Sequence, residues 1–100
     1  MANLIELAAE VGRTLQQRGL MLATAESCTG GGVAQAITEI AGSSEWFECG
    51  FVTYSNEAKM AMLKVPEETL ARHGAVSYET AQAMAQGAIA NSRATAVSYT

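Results

Sequence analysis

The chain reads as an α/β domain in which helices cover both faces of one sheet, and three observations point there. Strand-length apolar runs alternate with segments whose apolar residues recur every three or four positions, in the order helix, strand, helix, strand, helices, strand. The first strand-like run, Leu20-Met21-Leu22-Ala23, is apolar throughout, as expected of a strand buried on both faces. Aromatic residues are few, two Phe, three Tyr and one Trp, so the core must be built from Ala, Val, Leu, Ile and Met, which favours close packing of helix on sheet.

Each element has its own local cause. Asn3 followed by Glu6 is an N-cap with a reciprocal carboxylate, and Leu4, Leu7, Ala8, Val11 and Leu15 then recur at helical spacing. Gly19 is a natural stop, so a first amphipathic helix covers about residues 4–18. The first strand takes 20–25. Val33, Ala36, Ile37 and Ile40 give the inward face of a second helix over about 30–41, ended by Gly42. Ser43 to Phe47 make a short connection with room for one helical turn. Cys49 to Tyr54 form the second strand, and Ser55 or Asn56 caps a third helix over 57–63. Pro66 suits the first position of a short fourth helix, with Glu67 and Glu68 in the first turn where the dipole favours carboxylates, and Gly74 closes it. Ser77 caps a fifth helix whose buried face is marked by Ala81, Met84, Ala85, Ala88 and Ile89, and Ala94 to Thr100 is the third strand. No linker, repeat or low-complexity tract divides the chain, so residues 1–100 form one domain. The sequence stops within a strand, and an uncovered sheet edge invites association. The domain is therefore expected to be incomplete at its C-terminal end, or to complete itself in an oligomer.

Composition narrows the function. The net charge is −4 and the six basic side chains are scattered, whereas sequence-independent binding to nucleic acid needs cations clustered on phosphates. No apolar stretch approaches the roughly 18 residues of a membrane span, and the N-terminus lacks the charged and apolar regions of a signal peptide. Cys28 and Cys49 are too few for a disulfide scaffold and read as reduced thiols of a cytoplasmic protein. One histidine, His73, and no Cys-x-x-Cys spacing leave no metal site. No nucleic-acid partner, membrane partner, metal or organic cofactor is expected.

The chemistry concentrates at Thr24-Ala25-Glu26-Ser27-Cys28-Thr29-Gly30-Gly31-Gly32, where a strand turns into a helix. Such a turn can hold a side chain proud of the sheet edge and aim the unpaired N–H groups of the helix start at a ligand. Ser27 is the candidate nucleophile, although a lone serine at a strand end is as often a cap. The Gly-x-Ser-x-Gly elbow is not met, since Ala25 and Thr29 stand in its glycine places. His73 is the only imidazole and sits at a helix C-terminus, where a histidine usually pairs with the last carbonyls; the alternative base for a serine is a lysine kept neutral by burial or by neighbouring positive charge. Of the two lysines, Lys64 ends a helix and is solvated. Lys59 lies one turn into the helix that follows the second strand. Parallel strands share one C-terminal rim, which places Ser27 and Lys59 on the same edge. Taken alone, Lys59 would more often be a surface residue. Tyr54 is a candidate relay between the two, against a plainer role as a half-buried strand aromatic. Cys28 is more often a small buried residue than a reactive thiol.

The blocks from Ala23 to Gly31, Gly42-Ser43-Ser44, Gly50 to Lys59 and His73-Gly74-Ala75-Val76-Ser77 resemble the CinA C-terminal domain family, in order and over nearly the whole chain. That family includes the bacterial nicotinamide-mononucleotide amidases. The resemblance implies a three-layer α/β/α sandwich with a mixed, mostly parallel sheet. It implies deamidation of nicotinamide mononucleotide to nicotinate mononucleotide and ammonia, in pyridine-nucleotide recycling. The family's nucleophile falls on Ser27, its base on Lys59 and its active-site tyrosine on Tyr54, while Cys28, Thr29, Gly30 and Gly31 border the substrate. A homo-oligomer without cofactor is implied, with a small-molecule nucleotide as the partner. Family members also continue into further strands and a final helix past the third strand, with more active-site residues, so Thr100 falls near the start of that extension. The alternative reading is a non-catalytic nucleotide-binding or assembly module that keeps the fold without a complete site.

Overall fold

The computed structural model describes residues 2–100. Helix α1 spans Ala2–Gln17, strand β1 Leu22–Glu26 and helix α2 Gly32–Thr38. A single 3-10 turn at Ser43–Glu45 leads into strand β2, Phe47–Val52. Helices α3 (Asn56–Leu63), α4 (Glu67–His73) and α5 (Tyr78–Ala90) precede strand β3, Ala96–Tyr99. The three strands form a parallel sheet in the order β2-β1-β3.

The central strand decides the layering. All five residues of β1 are buried, and successive side chains point to opposite faces. Ala23 and Ala25 face a cluster with Leu63, Leu70, Met84 and Ala88 from α3, α4 and α5. Leu22 faces another, with Leu15 of α1, Ile37 of α2 and Trp46. These two cores on either side of one sheet are the α/β/α sandwich. Small side chains on β1 let α5 come close, and Gly87 carries this further: a Cβ there would fall on the Leu63 carbonyl of α3.

Several elements differ from their sequence expectation. Helix α1 already includes Ala2, so Asn3 is helical rather than its cap; its side chain, and with it the reciprocal bond to Glu6, lies outside the described residues. Ala8 and Leu15 are buried but Leu4, Leu7 and Val11 are exposed, because α1 packs along its 8–12–15 line, where Gly12 meets the Trp46 ring. Helix α2 is shorter than 30–41, since its last turn tightens into an Ile40 N–H to Ile37 carbonyl bond. Pro66 is the residue before α4 and not its first. The buried face of α5 is Thr80, Met84, Gly87 and Ala88, while Ile89 is exposed. Close approach at Gly87 turns the helix away from the face that hydrophobicity alone marks.

The C-terminal ends of the strands meet at one edge of the sheet. The Thr53 N–H donates to the Glu26 carbonyl (2.9 Å), the Thr100 N–H to the Ala25 carbonyl (3.0 Å) and the Ser27 N–H to the Thr100 carbonyl (3.3 Å). The residues just past all three strands are thereby tied into one rim. Ser55 accepts from the Ala58 N–H (3.0 Å) and starts α3 almost at once after β2. Lys59, one turn in, is returned to that rim.

Candidate functional site

Ser27 stands at the first position after β1, in a turn built around the carboxylate of Glu26. That carboxylate is fully buried. Its Oε1 accepts from the Thr29 hydroxyl (2.7 Å) and from the N–H groups of Gly31 (3.2 Å) and Val33 (2.9 Å). Its Oε2 accepts from the Ala34 N–H at 2.9 Å. Burial works against ionisation, but the hydroxyl and the three N–H groups together outweigh it and hold the carboxyl below its ordinary value. Gly31 adopts a left-handed φ of 105°, which lets the chain fold its N–H back on Glu26. The start of α2 therefore does not aim its N–H groups at a ligand, as the sequence suggested; an internal anion occupies them.

Four N–H groups of the turn are not on Glu26. Gly30 N–H donates to the Ser27 carbonyl and Gly32 N–H to the Thr29 carbonyl. Those of Cys28 and Thr29 make no hydrogen bond within the described residues. They directly follow the nucleophile candidate, where an oxyanion-binding donor is useful.

Opposite the turn stands Lys59, only 1% exposed. Its Nζ donates to Ser27 Oγ (2.9 Å) and to the carbonyls of Thr53 (2.8 Å) and Tyr54 (3.0 Å). None of the ion pairs among the described residues includes it. Burial pushes the ammonium below the ordinary lysine value, while Cys28 acts in the opposite sense. A lysine desolvated against a serine hydroxyl, with carbonyls for its other protons, is suited to take a proton from that hydroxyl.

Ser27 and Cys28 open onto a cleft of about 440 Å³, the size of a small-molecule site. Residues 75–78, Ala75, Val76, Ser77 and Tyr78, form another wall of it, together with Ala81 and Met84 of α5. Thr100 closes one end, its hydroxyl 2.6 Å from that of Thr29. Among the described residues no group of three or more His, Cys, Asp or Glu is placed to hold a metal ion.

A model of the CinA C-terminal domain matches residues 4–100. The chain belongs to the CinA C-terminal domain family. The nicotinamide-nucleotide amidohydrolase PncC of Escherichia coli (strain K12) is 59% identical over 93 residues, 93% of this chain and 56% of that protein. The Pseudomonas putida protein of the same name is 50% identical over 94 residues, 94% of this chain and 59% of its own length. Among solved structures, the competence/damage inducible protein CihA from Agrobacterium tumefaciens superposes with a TM-score of 0.90 at 54% identity, covering 93% of this chain and 57% of that one. The chain thus spans a little over half the length of the curated relatives it matches.

The residues that the CinA resemblance singled out occupy different places. Ser27 and Lys59 are brought into direct contact. Tyr54 hydrogen-bonds the lysine through its carbonyl; the residue is 74% exposed, its hydroxyl makes no hydrogen bond among the described residues, and Ser27 and Lys59 meet directly without a relay between them. Cys28 lines the cleft. Thr29 and Gly31 are turned to Glu26, and a Cβ at Gly30 would meet only open space. Sequence reasoning assigned no role to Glu26, and no place in the site to residues 75–78, of which it read only Ser77, as a helix cap. A carboxylate at a strand end, followed by glycines and a helix start, was the available signal for the first. For the wall the available signal was the block His73 to Ser77, which carried the resemblance but was given only the cap at Ser77 as a role.

Proposed function

We propose that this chain carries the amide-hydrolysing centre of a nicotinamide-nucleotide amidohydrolase, converting nicotinamide mononucleotide to nicotinate mononucleotide and ammonia in pyridine-nucleotide recycling. The supporting observation is the direct contact between Ser27 Oγ and the buried Lys59 Nζ, which has no ion-pair partner among the described residues. The names of the relatives supply the substrate.

A neutral Lys59 keeps two N–H bonds to the Thr53 and Tyr54 carbonyls, which turns its lone pair toward the Ser27 hydroxyl. Lys59 takes the hydroxyl proton as Ser27 Oγ bonds to the carboxamide carbon. The oxygen of the tetrahedral intermediate is met by the Cys28 and Thr29 N–H groups, a role worth about 3 kcal/mol per donor. Lys59 then returns the proton to the departing nitrogen, and ammonia leaves an ester on Ser27. Water, deprotonated by Lys59, attacks that ester and releases the carboxylate with Ser27 restored. Tyr54 contributes the carbonyl that orients the base. Cytoplasmic residence and a homo-oligomer belong to the same reading; the exposed Leu4, Leu7 and Val11 on α1 offer apolar surface for association.

Ammonia release from nicotinamide mononucleotide tests the reading. Ser27→Ala removes only the attacking oxygen and is expected to lower turnover at least a thousandfold with the fold unchanged by circular dichroism. An active Ser27→Ala beside a dead Cys28→Ser would replace the serine mechanism with a thiol one. Nucleotide binding without turnover in the unaltered chain would favour a non-catalytic binding module.

A further inference from the structure

The wall of the cleft at residues 75–78 takes no part in the exchange between Ser27 and Lys59, yet it is firmly built. The Gly74 carbonyl accepts from the Ser77 hydroxyl (3.0 Å) and from the hydroxyl of the fully buried Thr80 (2.6 Å). The Thr80 N–H donates back to Ser77 Oγ at 3.1 Å. These bonds fix the loop and the first turn of α5, whose first residue is Tyr78. Tyr78 lines the cleft and remains 69% exposed, at the start of a helix held by these bonds.

Geometry then restricts what reaches that face. The carboxamide carbon must come within about 3.5 Å of Ser27 Oγ to react. In a nicotinamide nucleotide the carboxamide is bonded directly to the pyridine ring, so the ring enters the same cleft. That ring is alkylated on nitrogen and carries a fixed positive charge. Among the described residues no Asp, Glu, Lys, Arg or His side chain lines the cleft. A cation leaving water for such a space is best compensated by the electron-rich face of an aromatic ring.

We propose that Tyr78 is a specificity-determining residue that selects quaternised pyridinium carboxamides by stacking its ring on theirs; this rests on the amidase reading above. The discrimination is against neutral rings of the same shape. Phenylalanine would keep it, because the attraction belongs to the ring face and not to the hydroxyl. Leucine would keep apolar area but lose it.

Calorimetric titration of the Ser27→Ala chain, which cannot turn over, with nicotinamide mononucleotide and its 1,4-dihydro form provides the test. The two ligands match in size and differ in ring charge. The oxidised form is expected to bind roughly three- to fivefold more tightly. Adding Tyr78→Phe should preserve that ratio and adding Tyr78→Leu should bring it close to one, with circular dichroism unchanged. A ratio near one with Tyr78 in place, or a ratio that survives Tyr78→Leu, overturns the role of Tyr78 and leaves the amidase reading standing. Failure of the Ser27→Ala chain to bind either form overturns both.

Discussion

Glu26 and Lys59 are buried to nearly the same degree, on either side of Ser27, and both titrate below their ordinary values. The consequences are opposite. For a carboxyl a lowered value favours the charge; for an ammonium it disfavours the charge. What separates the two is the count of compensating groups. Glu26 has four hydrogen-bond donors aimed at its oxygens, enough to overcome desolvation. Lys59 has carbonyl and hydroxyl acceptors but no ion-pair partner among the described residues, so desolvation prevails. One buried charge is structural and holds the turn; the other is disfavoured by its burial, so its proton leaves more readily and the amine becomes available as a base.

Removing the base should have the largest effect. Lys59→Arg keeps a cation that cannot become neutral near pH 7, and is expected to lose roughly a hundred- to ten-thousandfold in turnover, as much as Lys59→Met. Lys59→Met should still fold: two carbonyls lose a donor, but the desolvated amine is gone with it. Substantial turnover by Lys59→Arg in an ammonia-release assay would mean that Lys59 supplies charge alone.

Breaking the other half should act on stability. Glu26→Gln keeps the shape but offers a single acceptor oxygen, so its NH2 group faces a backbone N–H. A loss of about 2–3 kcal/mol is expected by urea denaturation, roughly 30- to 150-fold in the folding equilibrium. A loss of only a few tenths would show that the turn does not depend on the carboxylate.

The pH dependences share one sign. Both groups have a folded value below the unfolded one, so the unfolded chain binds more protons and stability rises with pH in each window. The Glu26 contribution is complete above its unfolded value near 4.5 and is lost as pH falls through the lower folded value. The cost of burying Lys59 is full below its folded value and is relieved as pH climbs toward 10.5. Glu26→Gln should flatten the acid limb alone and Lys59→Met the alkaline limb alone. Turnover should likewise rise with pH and level off below 10.5. A profile still climbing at that pH would place the base elsewhere.

The same contrast explains how much was legible beforehand. Element order, the doubly buried β1 and the caps Ser55 and Ser77 come from local rules, and the structure has them. The pairing of Ser27 with Lys59 came from two local facts and the shared rim of parallel strands. The Glu26 network was hidden because its donors are backbone groups, identical at every residue. The exposed side of α1 and the turned face of α5 depend on Gly12 and Gly87 admitting a neighbour, which no periodicity records.

The smallest expected effect belongs to Cys28, the one side chain that touches the comparison from outside. Cys28 lines the cleft and acts to raise the value at which Lys59 gives up its proton. Cys28→Ser should therefore leave plateau turnover within about twofold, since the N–H offered to the oxyanion belongs to the backbone and survives the change. The alkaline rise in turnover should move to slightly lower pH, because one influence that holds the proton on Lys59 has been removed. Parallel pH–rate profiles of the two proteins provide the check. A shift to higher pH would show that the thiol helps deprotonate Lys59, and a loss of plateau turnover beyond tenfold would place the sulfur in the chemistry itself.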